Sequence, residues 1–276
     1  MATQTDPVRV ETADGATWLT FNRPERLNSF NADELAALVA TLEQCEADAS
    51  VRAVVITGSG RAFTSGLDLH EAPAGDPAAM ARWMARVAPL WGAVASALVR
   101  MNKPVLAAVN GSTVGGGVGI ALASDFVIAS SQATFTPGWL AIGVSIDTGS
   151  SWSLPAYLGM RRATEWVYTN RTLTAAQALE WGLVNRVVDA AQFEGEVRRV
   201  GRELAAYPTH LFAMAKALFR RGRTHDAENQ HQAESDTLEI AAAHPHFHQT
   251  LDRFYQKRGS GRSGLVRLDP APDRRR

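Results

Sequence analysis

Three successive glycines at the start of a helix constrain this chain more than any other feature; they lie in NGSTVGGGVGIALASD, Asn110–Asp125. The preceding PVLAAVN (Pro104–Asn110) is short and apolar and reads as a buried strand. Gly115, Gly116 and Gly117 carry no Cβ, so a ligand can approach their backbone closely. A helix starting there directs unpaired N–H groups and the positive end of its dipole outward, an arrangement suited to an anion or a developing oxyanion. Taken alone, the triplet reads as a tight turn. A second segment changes the balance. AFTSGLDL (Ala62–Leu69) follows another buried-strand pattern, AVVITGS (Ala53–Ser59), and its Gly66 allows a sharp turn. The N–H of Leu67 can then converge with that of Gly116 on one oxygen.

Between and around these segments the chain alternates strand and helix patterns, which argues for an α/β core with right-handed crossovers. VRVETADGATWLTFN (Val8–Asn22) reads as a β-hairpin turning at Asp14-Gly15. Asn31 with Glu34 forms a helix-start signature ahead of Leu35, Leu38, Val39 and Leu42. Asp76-Pro77 begins a second long helix, with Met80, Trp83, Met84, Val87, Trp91 and Val94 on one side and a kink expected at Pro89. After Tyr207 the pattern is wholly helical, over His210–Arg220, Asp226–Ala243 and His246–Lys257. The division expected is a core at 1–206, a helical region at 207–258 and a disordered tail at 259–276.

Charge excludes some partners. The 28 basic and 28 acidic residues cancel, so nothing favours nucleic acid or an anionic membrane surface. A single cysteine, Cys45, excludes an internal disulfide framework, and its position in a helical apolar pattern makes it core. The N-terminal stretch has no apolar signal core and no run suits a membrane span, so a cytoplasmic protein is expected. The G-x-G-x-x-G, Walker, G-x-S-x-G and H-E-x-x-H motifs are absent. His244, His246 and His248 have no neighbouring carboxylate or cysteine, and no metal is expected there.

The pairing of AFTSGLDL with PVLAAVNGSTVGGG resembles the crotonase (enoyl-CoA hydratase/isomerase) superfamily, and FNRPERLNSF (Phe21–Phe30) and LTAAQALEWGLVNRVV (Leu173–Val188) agree with it. The resemblance runs from about Val8 to Arg258. It implies a spiral of ββα units with a C-terminal helical region that forms homotrimers, often paired into hexamers. It also implies an acyl-CoA substrate, with coenzyme A entering as part of that substrate and no separate cofactor. Leu67 and Gly116 take the positions whose N–H groups hold the thioester oxygen and stabilise an enolate. Arg23 and Arg26 match turn residues that contact phosphate, and Lys257 matches a tail lysine that often reaches the nucleotide of a neighbouring subunit. Ser65, Trp91 and Phe135 are expected on the substrate side, the aromatic rings suiting a flat acyl group.

The hydratases of this superfamily use two glutamates, whose positions hold Gly119 and Trp139 here. Neither residue moves a proton. Asp147 remains, eight residues after Trp139. Local sequence makes it an N-cap, since Asp-Thr-Gly-Ser-Ser commonly opens a helix. The resemblance reverses this, because the Trp–Asp pair is similar to that of the 4-chlorobenzoyl-CoA dehalogenases, whose aspartate is the nucleophile. That likeness extends through Leu158–Val184 and Glu203–Lys216. Trp139 is then expected to hold the carboxylate or wall the ring pocket. Dienoyl-CoA isomerases place a proton-transferring aspartate at the same position, which is the alternative, and a CoA-thioester-binding protein without catalysis is a third. One departure stands out. The dehalogenases activate water with a histidine where this chain has Gly92, and His70 is the nearest substitute in sequence.

Overall fold

The computed structural model describes residues 6–13 and 15–259. Asp14, residues 260–276 of the expected tail and the side chain of Lys257 lie outside the described residues. Strands β1 (Val8–Ala13) and β2 (Ala16–Phe21) form the antiparallel hairpin expected, with Ala13 opposite Ala16. Helix α1 (Ala32–Ala47) starts at a capping box in which Asn31 accepts from the Glu34 N–H and Glu34 accepts from the Asn31 N–H. Its Leu35, Leu38, Leu42 and Cys45 are buried.

A repeated unit follows. Strands β3 (Ala53–Gly58) and β4 (Ala62–Thr64) lead into α2 (Pro77–Arg100), and β5 (Val105–Val109) and β6 (Ser112–Val114) lead into α3 (Gly116–Ala123). Strands β7 (Phe126–Ser130) and β8 (Thr134–Thr136) begin a third unit. In each pair the first strand joins a six-stranded sheet ordered β1-β2-β3-β5-β7-β10, whose last member is β10 (Arg186–Val188). The second joins a four-stranded sheet ordered β4-β6-β8-β9, closed by β9 (Leu173–Thr174). Every unit therefore adds one parallel strand to each of two sheets, and the chain advances as a spiral of ββα units.

A parallel sheet covered on both faces needs apolar residues on both, which is why β5 is VLAAV and wholly buried. Val54, Ile56, Val105 and Ala107 face the core that includes α1, α2 and α3. Their neighbours Ala53, Val55, Leu106 and Ala108 face the other way, onto Val197 and Val200 of α7 (Phe193–Ala206). Helix α2 starts at the Asp76 cap and continues through the exposed Pro89, with Val87, Trp91, Val94 and Leu98 buried. Past β8 come α4 (Ser150–Leu158), α5 (Met160–Thr169) and α6 (Ala175–Trp181).

The chain divides into two compact units, 1–213 and 214–276, with the division inside α8 (Thr209–Arg221). The described part of the second unit is helical, from the end of α8 through α9 (Ala227–Ala243) and α10 (Pro245–Gly259). Phe219, Leu238, Ile240 and Tyr255 are exposed on it. No described helix is long and apolar enough to cross a membrane.

Candidate active site

The start of α3 and the loop after β4 lie against each other. Gly66 has φ +82°, and a Cβ built on it would stand 2.8 Å from the Val114 carbonyl oxygen and 3.3 Å from the Gly116 nitrogen, so any larger residue would push the two segments apart. The Gly66 carbonyl accepts a hydrogen bond from the Phe30 N–H at 2.8 Å. In a trans peptide the N–H points opposite to the C=O, so the Leu67 N–H faces away from Phe30. Gly116 is the first residue of α3, and its N–H has no partner within the helix. The Trp91 ring covers Gly116 so closely that a Cβ there would lie 2.6 Å from it. Trp91 is 1% exposed, and its buried indole N–H meets no acceptor among the described residues.

Asp147 is held beside this helix start. The indole Nε1 of Trp139 donates to Asp147 Oδ1 at 2.7 Å, and Thr148 Oγ1 donates to the same oxygen at 2.8 Å. Neither bond involves Oδ2. Trp139 is 3% exposed, and its Nε1 lies 3.9 Å from where a Cβ on Gly115 would stand, which ties the pair to the N-cap of α3. Burial pushes the Asp147 carboxyl above the usual carboxylate range, against the pull of the Thr148 and Trp139 hydrogen bonds.

The N-cap expected from local sequence is corrected here. Gly149 is the N-cap of α4, and only the backbone of Asp147 serves that turn, its carbonyl accepting from Ser150 N–H at 2.9 Å. Thr148 at φ +53° and Gly149 at φ +70° turn the chain so that the carboxylate meets Trp139 instead. A β-branched residue at positive φ is strained, on the order of 1–3 kcal/mol, and survives where its surroundings over-determine it. Gly119 is part of those surroundings. A Cβ on Gly119 would lie 2.4 Å from the Thr148 Cβ. Thr148 thus occupies the space that a side chain at 119 would need.

The remaining residues singled out from sequence are spread more widely. Phe135 is buried in the small sheet opposite Leu173. Ser65 is half-buried, and its N–H bonds Leu27 O at 2.9 Å. Arg26 is exposed on a short 3-10 turn, Pro24–Arg26. Arg23 is drawn inward, with Nη1 on Glu34 at 2.8 Å and on Asp68 at 3.2 Å. Lys257 lies on α10 in the second unit. Gly92 is exposed on α2, and a Cβ there would meet open space. His70 sits on the exposed turn Leu69–Glu71 after the Leu67 loop. Among the described residues no three His, Cys, Asp or Glu side chains gather as a metal-binding group.

Sequence reasoning missed Thr148, Asn170 and Asp68. Asn170 accepts from the Gly138 N–H at 2.8 Å and so anchors the residue before Trp139. A β-branched residue between Asp147 and Gly149 carries no local sign of a positive φ.

Comparison with known proteins agrees with this arrangement. The family model for enoyl-CoA hydratase/isomerase matches residues 11–261. The chain is 40% identical over 262 residues to 4-chlorobenzoyl coenzyme A dehalogenase-2 of an Arthrobacter species, covering 95% of each chain. It is 34% identical to 1,2-epoxyphenylacetyl-CoA isomerase of Escherichia coli, covering 88% of this chain and 93% of that one. The solved enoyl-CoA hydratase of Bacillus anthracis superposes with a TM-score of 0.82 at 28% identity, over 91% of this chain and 96% of that one. With the ββα spiral and the two apposed loops already in place, these matches make the chain a member of the enoyl-CoA hydratase/isomerase family, among the acyl-CoA enzymes of the crotonase superfamily.

Proposed function

We propose that this enzyme acts on an aromatic acyl-CoA, with Asp147 as the nucleophile of a substitution on the ring. The observation that carries the reading is the Asp147 carboxylate held by Trp139 beside the start of α3, while Thr148 fills the space at Gly119. The N–H groups of Leu67 and Gly116 polarise the thioester carbonyl and draw electron density out of the ring. Asp147 Oδ2 attacks the ring carbon that bears the leaving group, and the displaced π pair moves toward the carbonyl oxygen. As the pair returns, the carbon–halogen bond breaks and halide leaves with its electrons. Water then adds to the carbonyl of the resulting aspartyl aryl ester, giving the hydroxyaryl-CoA, a regenerated carboxylate and one proton. No side chain at position 92 can take that proton, so the water attacks the ester without a general base at that position.

A second reading, proton transfer on an enoyl- or dienoyl-CoA by Asp147, is favoured by two observations, the raised Asp147 pKa and the glycine at 92. Two of the relatives named above carry a chlorobenzoyl and an epoxyphenylacetyl thioester in their names, and both acyl groups contain a six-membered carbon ring. Arg26 is proposed to meet the phosphates of coenzyme A, and Lys257 the nucleotide bound by a neighbouring subunit. A homotrimer or hexamer is proposed from the exposed apolar residues on the C-terminal helices, and a cytoplasmic location is proposed beside it.

The test is to follow 4-chlorobenzoyl-CoA for chloride release and 4-hydroxybenzoyl-CoA, with an enoyl-CoA in deuterium oxide alongside. Chloride release with matching hydroxyaryl product supports substitution. Deuterium exchange into the enoyl-CoA, lost in Asp147→Asn and without chloride release, transfers the assignment to the second reading.

Trp139→Phe tests how the carboxylate is held. It removes the 2.7 Å donor to Oδ1 while keeping an aromatic ring in the core. That donor favours the ionised form, so its loss raises the Asp147 pKa further. The reactive carboxylate is then lost at a higher pH, and the acid limb of the kcat profile moves upward. At neutral pH kcat is expected to fall by roughly tenfold, about the worth of one charge-assisted hydrogen bond.

A further inference from the structure

We infer that the ion pair between Arg23 and Asp68 sets the direction of the Leu67 N–H, making Arg23 a positioning residue for the oxyanion-binding loop rather than a contact for coenzyme A phosphate. The inference rests on the reading of Leu67 and Gly116 as thioester donors.

The loop between Arg23 and Phe30 is strapped along the loop that carries Leu67. Ser65 N–H bonds Leu27 O at 2.9 Å, and Thr64 Oγ1 donates to Asn28 O at 2.6 Å. Phe30 brackets Leu67, its N–H bonding Gly66 O at 2.8 Å and its carbonyl accepting from Asp68 N–H at 2.9 Å. These bonds orient the peptides on both sides of Leu67, but they depend on Phe30 staying in place.

Arg23 fixes both loops at once. Its Nη1 donates to Ser29 O at 3.1 Å and to Glu34 at 2.8 Å, on the Phe30 side. The same nitrogen lies 3.2 Å from Asp68 Oδ2, on the residue directly after Leu67. Asp68 is 2% exposed, and its other oxygen accepts the His70 N–H at 3.1 Å. A buried carboxylate of this kind is poorly screened and needs its cation. If Arg23 is removed, Asp68 must seek water, and any movement of Asp68 turns the neighbouring peptide. Because Arg23 is engaged in this way, the structure gives it an internal partner set in place of the phosphate contact expected from sequence.

The experiment compares wild type with Arg23→Gln, Asp68→Asn, Arg23→Lys and Thr174→Ala. The readouts are the absorbance shift of bound 4-hydroxybenzoyl-CoA and the separate values of kcat and KM. Two donors on the thioester oxygen pull charge through the conjugated ring, so the wild-type complex absorbs to the red of the free thioester. Arg23→Gln and Asp68→Asn are expected to lose most of that shift and to lower kcat by roughly 10- to 100-fold, with KM within about threefold of wild type, as for partial loss of one oxyanion donor. Arg23→Lys keeps the charge and regains much of the shift. Thr174→Ala removes the α6 cap, lowering Tm while the shift and kcat stay. Should Arg23→Gln fail to fold, the isosteric Asp68→Asn carries the same comparison. A full shift and full kcat in Asp68→Asn, with only Tm reduced, would overturn the inference. So would an Arg23→Gln variant whose KM rises while kcat holds, since that is the signature of a ligand contact. A wild-type complex with no red shift overturns the thioester-donor reading itself, and the inference with it, which keeps the two failures apart.

Discussion

Asp147→Asn is expected to cut turnover of an aromatic acyl-CoA by roughly a thousandfold or more, the scale of removing a covalent nucleophile, while melting at or above the wild-type temperature. The two effects have one cause. Burial raises the Asp147 pKa, so the ionised form is less favourable in the folded protein than in the unfolded chain. A raised carboxylate contributes its full stability below the unfolded pKa and loses it as pH rises through the folded one. At neutral pH the wild type therefore carries a disfavoured charge that asparagine does not. Asparagine keeps the shape and can still accept from Trp139 and Thr148 through its carbonyl oxygen. The Tm advantage of the variant should shrink as pH falls toward the unfolded pKa. Thermal melts at several pH values, run beside kcat measurements, check both halves. A variant that melts well below wild type at neutral pH would mean that the carboxylate is structural.

Gly119→Glu is the second large effect. It places a glutamate where the hydratases of the superfamily are expected to have one, yet no hydratase activity should appear. Its Cβ alone would stand 2.4 Å from the Thr148 Cβ and 2.9 Å from the Thr148 carbonyl oxygen, and neither is the free end of a flexible side chain. Helix α3 is buried along its whole length and cannot give way. The turn at Thr148 must move, carrying Asp147 off Trp139. Overpacking of this kind costs about 1–3 kcal/mol and sometimes more. The expected result is a lower Tm, substitution reduced as severely as in Asp147→Asn, and no hydration of an enoyl-CoA. Measurable hydration in this variant would show that residue 119 has room and that Thr148 does not hold the site.

These two residues also show what the sequence made legible. Where the signal is local, the reading transfers directly. The Asn31–Glu34 box, the Asp76-Pro77 start and the buried runs AVVITG and VLAAV appear as expected. The spiral was not legible from periodicity. Its smaller sheet is built from AFT, STV and TFT, each too short to carry a period, and their pairing is set by partners distant in sequence. Asp147 had two readings because an aspartate before Thr-Gly-Ser caps a helix in most contexts. Only the backbone at Thr148 and Gly149, both at positive φ, decides where the carboxylate goes. Arg23 matched a phosphate-contacting turn residue, and its internal partners had no local sign, since Glu34 and Asp68 reach it only after the loops pack.

The central claim is a covalent bond to Asp147, and intact-protein mass on mixing with 4-chlorobenzoyl-CoA tests it most directly. The account predicts a mass gain equal to the acyl-CoA less hydrogen chloride, absent in Asp147→Asn. The adduct is expected in samples quenched within the first turnover, with the hydroxyaryl product following it in time. An adduct of equal size in Asp147→Asn, or hydroxyaryl product forming with no adduct at any time, would contradict a nucleophilic aspartate.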